Sequence, residues 1–327
     1  MSLPVVLAAA AVLSLGADVD TTFAVKPGTS LTVENFAGEV VLSAWDKNAV
    51  RIQAPEAGGE RVVVKPTTRG LSIKTGSKHA ADGSVDLRIT VPAWMDLDVS
   101  GVQTDVSIDG ARGRVRVATI HGDIAVSGGR GQIELNAVDQ DIHLADASGV
   151  VVSETVNGDL TLQRIESDSV DVSTVNGEIF YEGTLRNRGV YRFTSHNGDI
   201  AVAIPTTTSA TVNVSTFSGE FASDFPVTLQ ESRPGRRYCF TLGKGGARVD
   251  LESFQGTIHV FRPGTRGPVT DVENQRMQRL QERMERVKER FEERKHEYKH
   301  LKKSMKGDDA DDDSGDDSDD DDSEDGK

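Results

Sequence analysis

Apolar and polar residues alternate along most of the chain in runs too short for helices. "SVDVST" at 169–174 and "TVNVST" at 211–216 place every second residue on an apolar face. That is the period of a half-buried strand. Shorter runs such as "GDLTL" (158–162) and "GEIFY" (177–181) follow a few residues after a corner, and polar turns such as "SGGRG" (127–131) and "ADASG" (145–149) close each unit. Such a unit holds two short strands and cannot bury its apolar face alone.

The corners repeat. They read "NFAGEV" at 35–40, "VQTDV" at 102–106, "TIHGDI" at 119–124, "AVDQDI" at 137–142, "TVNGDL" at 155–160 and "TVNGEI" at 174–179. The series continues with "SHNGDI" at 195–200, "TFSGEF" at 216–221 and "SFQGTI" at 253–258. Thr104 and Gln140 stand where the others carry Gly, and from 104 to Gly219 the steps are 18, 18, 18, 19, 21 and 21 residues. Connections this short exclude βαβ crossovers, which need a dozen residues or more. The pattern predicts an all-β fold, a β-solenoid whose coils stack about 4.8 Å apart. Val170, Val172, Ile179 and Tyr181 are expected to lie over Val151, Leu160 and Leu162. The corner Gly is expected to supply a positive φ, and the Ser or Thr three residues earlier a hydrogen bond to the neighbouring turn.

The ends are less regular. "NAVRIQA", "RVVVKP", "GLSIKTG" and "VDLRITVP" read as strands between 48 and 92, and the interval from Gly219 to Gly256 is 37 residues. Within it, "FPVTLQ-ESRPG-RRYCFTL" reads as a capping hairpin. The lone Cys239 cannot form an intrachain disulfide, and its strand context suggests a buried apolar role.

The "LTVENFAGEV" start, "ITVPAWMDLDVSG", the NGD/NGE corners and the closing "GKGGARVDLESFQGTIHV" resemble the bacterial putative-adhesin, β-strand-repeat domain of unknown function, akin to head-GIN adhesin-like domains. The resemblance spans about residues 20–262. It implies a right-handed parallel β-helix in a bacterial cell envelope and brings no catalytic residues.

The chain has 327 residues and a net charge of −15, but residues 308–327 alone hold thirteen acids and one Lys. The rest is close to neutral, so net charge predicts no nucleic-acid partner. Residues 1–17 are apolar and Ala-rich, end in a small-residue Ser14–Gly16 cleavage pattern, and read as a signal peptide, although no Lys or Arg precedes the apolar run. The competing reading is a buried first strand or helix. An exported protein would sit in the periplasm, at the cell surface or outside the cell. The solenoid is expected over 18–265. Residues 271–306 lack Gly and Pro and carry a seam at Met277, Leu280, Met284, Val287, Phe291, Tyr298, Leu301 and Met305, with Arg294 filling one core position. That is a coiled-coil pattern, a candidate homo-oligomer contact over 277–305, or else an amphipathic helix against the solenoid or a membrane surface. The Asp-rich 307–327 reads as disordered.

Two patterns are candidate metal sites. "HEYKH" fits the zinc-peptidase H-E-x-x-H pattern, but His296 and His300 fall outside the seam among cations, with no third ligand. Glu39, Asp105, Asp123, Asp141, Asp159, Glu178, Asp199 and Glu220 form one column that could hold a Ca²⁺ ladder. The alternative is that each carboxylate accepts turn N–H groups, and the few oxygens per unit favour it. Other enzyme motifs and cofactor fingerprints are absent, and Arg114, Arg116, Arg164 and His143 are scattered. The expectation is a non-catalytic envelope or surface protein that binds an envelope glycan or protein and needs no cofactor. The rival is a polysaccharide-active β-helix lyase or hydrolase.

Overall fold

A computed structural model of the chain describes residues 13–15, 19–54, 61–76, 84–226 and 236–263. Every regular element among them is a strand. The helix over 271–306, the acidic tail, the H-E-x-x-H pair and most of the signal-peptide segment lie outside the described residues. The first stretch holds β1 (Leu13–Leu15), β2 (Val19–Ala24), β3 (Ser30–Trp45), β4 (Ala49–Ala54), β5 (Arg61–Pro66), β6 (Gly70–Gly76) and β7 (Leu87–Pro92). The middle holds β8 (Asp96–Ala111), β9 (Val115–Ala118), β10 (Ile124–Gly128), β11 (Arg130–Asn136), β12 (Ile142–Ala145), β13 (Ser148–Glu154), β14 (Leu160–Thr174), β15 (Ile179–Ser195) and β16 (Ile200–Ala203). The last stretch holds β17 (Ala210–Thr216), β18 (Phe221–Ser223), β19 (Arg236–Leu242), β20 (Ala247–Ser253) and β21 (Ile258–Phe261).

Two parallel ladders organise these strands, one before each corner and one after it. The first runs through β9, β11, β13 and the later halves of β14 and β15. The second runs through β8, β10, β12 and the earlier halves of β14 and β15. Their inner residues meet in one core: Ile133 and Leu135 from one ladder, Ile142 and Leu144 from the other, all essentially buried. Val151 pairs with Val170, Leu160 with Ile179 and Leu162 with Tyr181, the stacking expected from the repeat.

Sequence order and stacking order part company at both ends. β3 lies between β8 and the pair β6/β7, although β6 and β7 are later in the chain than β3. At the other end β20 and β21 insert between β15/β16 and β17/β18. The repeats share one grammar, so the sequence cannot say which coil neighbours which. Antiparallel strands then occupy the outer edges: β4 on β7, β5 on β6 and β19 on β17. Strand β1 pairs with β5 through Leu13–Leu15 against Val62–Val64. The hairpin expected around 225–242 therefore differs in part. β19 pairs with Ala210–Thr216, and residues 227–235 lie outside the described set. In β19 the inward phase belongs to Tyr238 and Phe240, which turns Cys239 outward and exposed, against the buried role expected of it.

One of the two 21-residue steps coincides with larger core side chains. Coils with 18-residue steps are filled by Val, Ile and Leu. At the step from Gly177 to Gly198 the core takes Tyr181, Tyr191 and Phe193, with the Tyr181 and Phe193 ring centroids 4.9 Å apart, whereas the step from Gly198 to Gly219 keeps Ala, Val and Ile. The Tyr191 hydroxyl donates to the Ser167 carbonyl at 2.5 Å and accepts from the Arg186 N–H at 2.7 Å, so a longer turn is pinned to a wider core.

Candidate functional site: the corner edge

Each corner is a stack of five columns, and each column has its own chemistry. The first position points inward and carries a hydroxyl in six of the nine corners, with Asn35, Gly101 and Ala137 in the others. Thr174 Oγ1 donates to the Gly158 carbonyl at 3.2 Å, Ser195 Oγ to Gly177 at 3.0 Å and Ser253 Oγ to Gly198 at 3.0 Å. These hydroxyl residues are buried, so the bonds are needed rather than ornamental.

The fourth position carries the small residue, in most corners for a reason other than the one expected. Gly38 has the expected positive φ, at 111°, and Gly122 lies at 158°, close to extended backbone, whereas Gly158, Gly177, Gly198, Gly219 and Gly256 have no positive φ. A Cβ at Gly177 would collide with the Gly158 carbonyl oxygen, and one at Gly198 with that of Gly177. The columns need Gly because backbone passes over backbone without room for a methyl. Thr104 is reconciled by an exchange of places. In "GVQTD" the hydroxyl comes from the fourth position and Gly from the first, where a Cβ at Gly101 would strike Thr104. Thr104 is fully buried and its Oγ1 donates to the Asn35 carbonyl at 3.2 Å.

The fifth column is the acidic one. Asp123 N–H donates to Asp105 Oδ1 at 2.9 Å, Asp159 N–H to Asp141 at 2.8 Å and Glu178 N–H to Asp159 at 2.8 Å. Glu39 N–H donates to Asp86 Oδ1 at 3.0 Å, which adds a member that sequence reading missed because its corner is not written as a Gly-acid pair. The inserted coil places Thr257 between Asp199 and Glu220, and Thr257 N–H donates to Asp199 Oδ1 at 2.6 Å. The carboxylates thus serve the turn N–H groups of the next coil. Glu178 feels the stacking: burial first, and the Asp199 charge second, push its carboxyl above the ordinary range. No group of three or more His, Cys, Asp or Glu side chains is arranged to hold a metal among the described residues.

The third column is a polar ladder. Asn157 Nδ2 donates to Asp139 Oδ1 at 2.6 Å, Asn176 to Asn157 at 2.7 Å and Asn197 to Asn176 at 2.8 Å. His121 Nδ1 lies 3.1 Å from Asp139 Oδ2. Stacked amides of this kind join coil to coil through side chains as well as backbone.

The second column faces outward and is apolar. In stacking order it reads Phe36, Val102, Ile120, Val138, Val156, Val175, His196, Phe254 and Phe217. The register is fixed by backbone bonds, such as Asn157 N–H to Val138 O at 2.8 Å and Asn176 N–H to Val156 O at 2.8 Å. Seven of the nine large apolar side chains exposed among the described residues fall in this one column, between 38% exposed at Val138 and 61% at Phe217. His196, Phe254 and Phe217 finish it as a stack, with ring centroids 4.8 Å apart at both steps. In the sequence this column is overshadowed by the more regular Asn-Gly-acid that follows it. The signal was there, an apolar residue between the hydroxyl and the polar position in nearly every corner.

Charge completes the edge. The nine segments 34–39, 100–105, 118–123, 136–141, 154–159, 173–178, 194–199, 252–257 and 215–220 contain twelve carboxylates and no Lys or Arg. Glu34 pairs with Lys74 at 2.7 Å and Asp139 lies against His121. The scattered residues stay scattered: Arg114 pairs with Asp96, Arg116 with Glu134 and Arg164 with Asp146, and His143 is buried in the second ladder.

Comparison with known proteins agrees with the resemblance carried by the corners. The family described as Toastrack DUF4097 matches residues 150–261, the coils from β13 to β21. No curated protein matches. Among solved structures, a putative cell adhesion protein from Clostridium sporogenes is 9% identical, covering 75% of this chain and 99% of that one, with a TM-score of 0.26. A putative adhesin from Bacteroides fragilis is 10% identical over 76% and 98% of the two chains, with a TM-score of 0.33. One from Parabacteroides merdae is 10% identical over 76% and 97%, with a TM-score of 0.31. These superpositions are too loose to bear on function. The chain is similar to a putative adhesin of unknown function.

Proposed function

We propose that this adhesin-like chain is a non-catalytic module of the cell envelope or surface, and that it binds its partner along the corner edge. The supporting observation is the apolar column. The hydroxyl, amide and acid columns bond to neighbouring coils, whereas the second column turns large apolar side chains to solvent in a continuous line. Contiguous exposed apolar surface of this kind marks interaction sites. We read the two ladders as the walls of a right-handed parallel β-helix over 18–265, exported by residues 1–17 and followed by a helix over 271–306 and an acidic tail. An envelope glycan or protein is the partner class.

The rival is a polysaccharide-active enzyme. It would need reactive groups converging on a substrate, and the corner carboxylates instead accept backbone N–H bonds one coil apart. The test is a cleavage screen of the full chain against pectins, alginates and peptidoglycan, run beside binding to envelope fractions. We expect no cleavage, and binding that falls when Val156, Val175 and Phe254 are replaced by Ser. Reproducible cleavage, abolished by one Asp→Asn change in a folded variant, overturns the proposal.

A further inference from the structure

We infer that the apolar column docks a basic amphipathic helix of a partner protein. This rests on the platform reading above and names the partner's chemistry.

Spacing selects the helix. The column offers one side chain per coil, about 4.8 Å apart. An amphipathic helix returns its apolar stripe once per turn, about every 5.4 Å. An extended strand repeats a face every two residues, about 6.6 Å, and falls out of step within two coils, whereas the helix slips by about 0.6 Å per coil and stays within half a repeat for about four coils before it must shift to the neighbouring side chain of its stripe. The column is one side chain wide, which suits a narrow stripe. Nine levels span about 38 Å, the length of a helix of about 25 residues.

Charge selects the basic flank. The acid column runs along one side of the apolar line, and Glu154 and Glu252 lie on the other, with no Lys or Arg in any of the nine segments. A second copy presenting the same edge would bring carboxylates against carboxylates, and an anionic lipid surface meets the same repulsion. Lys and Arg bordering an apolar stripe would find counter-charge on both sides. Their attraction would fall with salt as the field is screened.

Three labelled synthetic peptides of 28 residues test this against the full chain. One is a Leu/Lys heptad helix, one its Leu/Glu counterpart, and one a Leu/Lys scramble without a stripe. We expect saturable binding of the first alone, weakened about tenfold or more between 50 and 300 mM salt. The triple change Val156→Ser, Val175→Ser and Phe254→Ser should weaken it at least tenfold. A second variant, Glu154→Lys with Glu252→Lys, leaves the column intact and keeps the test open if the triple variant melts early. It should weaken Leu/Lys binding and strengthen Leu/Glu binding. Failure of the Leu/Lys peptide to saturate overturns the inference, as does equal binding of the scramble. Binding unchanged in both variants overturns the inference too, since attraction to the Asp-rich tail would survive them. Equal binding of the Leu/Glu peptide that is lost in the triple variant overturns the charge assignment alone and leaves the platform reading standing.

Discussion

The two edges of the coil stack are built by opposite rules. The corner edge takes five residues at each of the nine repeated corners, whether at 137–141, 155–159, 174–178 or 195–199, and lengthens only at the outer level that ends in Asp86. The opposite edge takes five residues at 146–150, six at 164–169 and eight at 183–190. From β8 to β15 the lengthening of the repeat is absorbed there. The corner is tied to its neighbours by columns of like residues, so one added residue would break several ladders together. The opposite edge keeps some backbone pairing, such as Gly131 with Gly149, adds individual contacts such as the Arg164–Asp146 pair, and holds the non-Gly residues with positive φ among the described residues, Asp146, Arg164 and Arg188. An edge of constant length can present a continuous surface, and one whose length changes from level to level shifts its columns.

The sharpest way to break this comparison is one methyl group on each edge. Gly177→Ala drives a Cβ into the Gly158 carbonyl, a backbone group with no rotamer to yield. We expect a loss of about 3 kcal/mol or more, measured by denaturant unfolding. Gly131→Ala on the opposite edge meets nothing within 4 Å and pays only for its φ of 84°. That should cost about 1–2 kcal/mol. Equal losses would mean that the corner is no more constrained than the turn.

Next in size is the pin between core and turn. Tyr191→Phe removes the hydroxyl that serves both the Ser167 carbonyl and the Arg186 N–H, leaving both without it. Burial, the largest influence, raises the Tyr191 pKa, so the group remains a donor in ordinary buffers. The expected cost is about 1–3 kcal/mol by thermal or chemical unfolding. A variant as stable as the parent would show that the longer turn does not depend on the tyrosine.

How much could be read in advance follows the same division. The corner columns were legible because each recurs at a fixed offset, and strand pairing such as Val151 to Val170 follows from aligning them. The reason for the glycines was not legible. Sequence shows that Gly recurs, while only the close approach of Gly177 to the Gly158 carbonyl separates a steric need from a conformational one. The stacking order was hidden as well, because "SFQGTI" fits the grammar of a last coil as well as that of an inserted one. The apolar column was visible letter by letter. Its exposure depended on which side of the corner faced solvent, and that phase comes from the buried hydroxyl one residue before it.

A smaller effect is expected where the opposite edge is stitched by charge. Arg164 donates to both Asp146 oxygens, at 2.7 and 2.8 Å, and this bonding holds the Asp146 carboxyl below its ordinary range. A lowered carboxylate pKa contributes stability above the unfolded value, and that stability is lost as pH falls through the folded one. Both side chains are about half exposed, so a double-mutant cycle with Asp146→Asn and Arg164→Gln should give a coupling of about 0.2–1 kcal/mol at pH 7. The coupling should vanish in acid. A coupling that persists at pH 2 would assign it to packing rather than charge.

The smallest effect has the opposite sign and belongs to the corner edge. Glu178 stacks between Asp159 and Asp199 in the acid column. Its carboxyl is raised by burial first and by the Asp199 charge second. In the interval between the unfolded pKa and the raised folded one, the native state holds more protons than the unfolded chain. Stability therefore declines as pH rises through that interval, and the ionised form opposes folding at neutral pH. Glu178→Gln keeps the shape and removes the charge, so it should stabilise the protein slightly at pH 7, and the gain should shrink toward zero as pH falls below the unfolded value. Solvent screening confines it to a few tenths of a kcal/mol. Paired melting curves at pH 4 and pH 7, in low and high salt, measure it. A destabilised Gln variant at pH 7 would mean that the Glu178 carboxylate makes a bond the column depends on, and the acids would then be structural at every level rather than tolerated there.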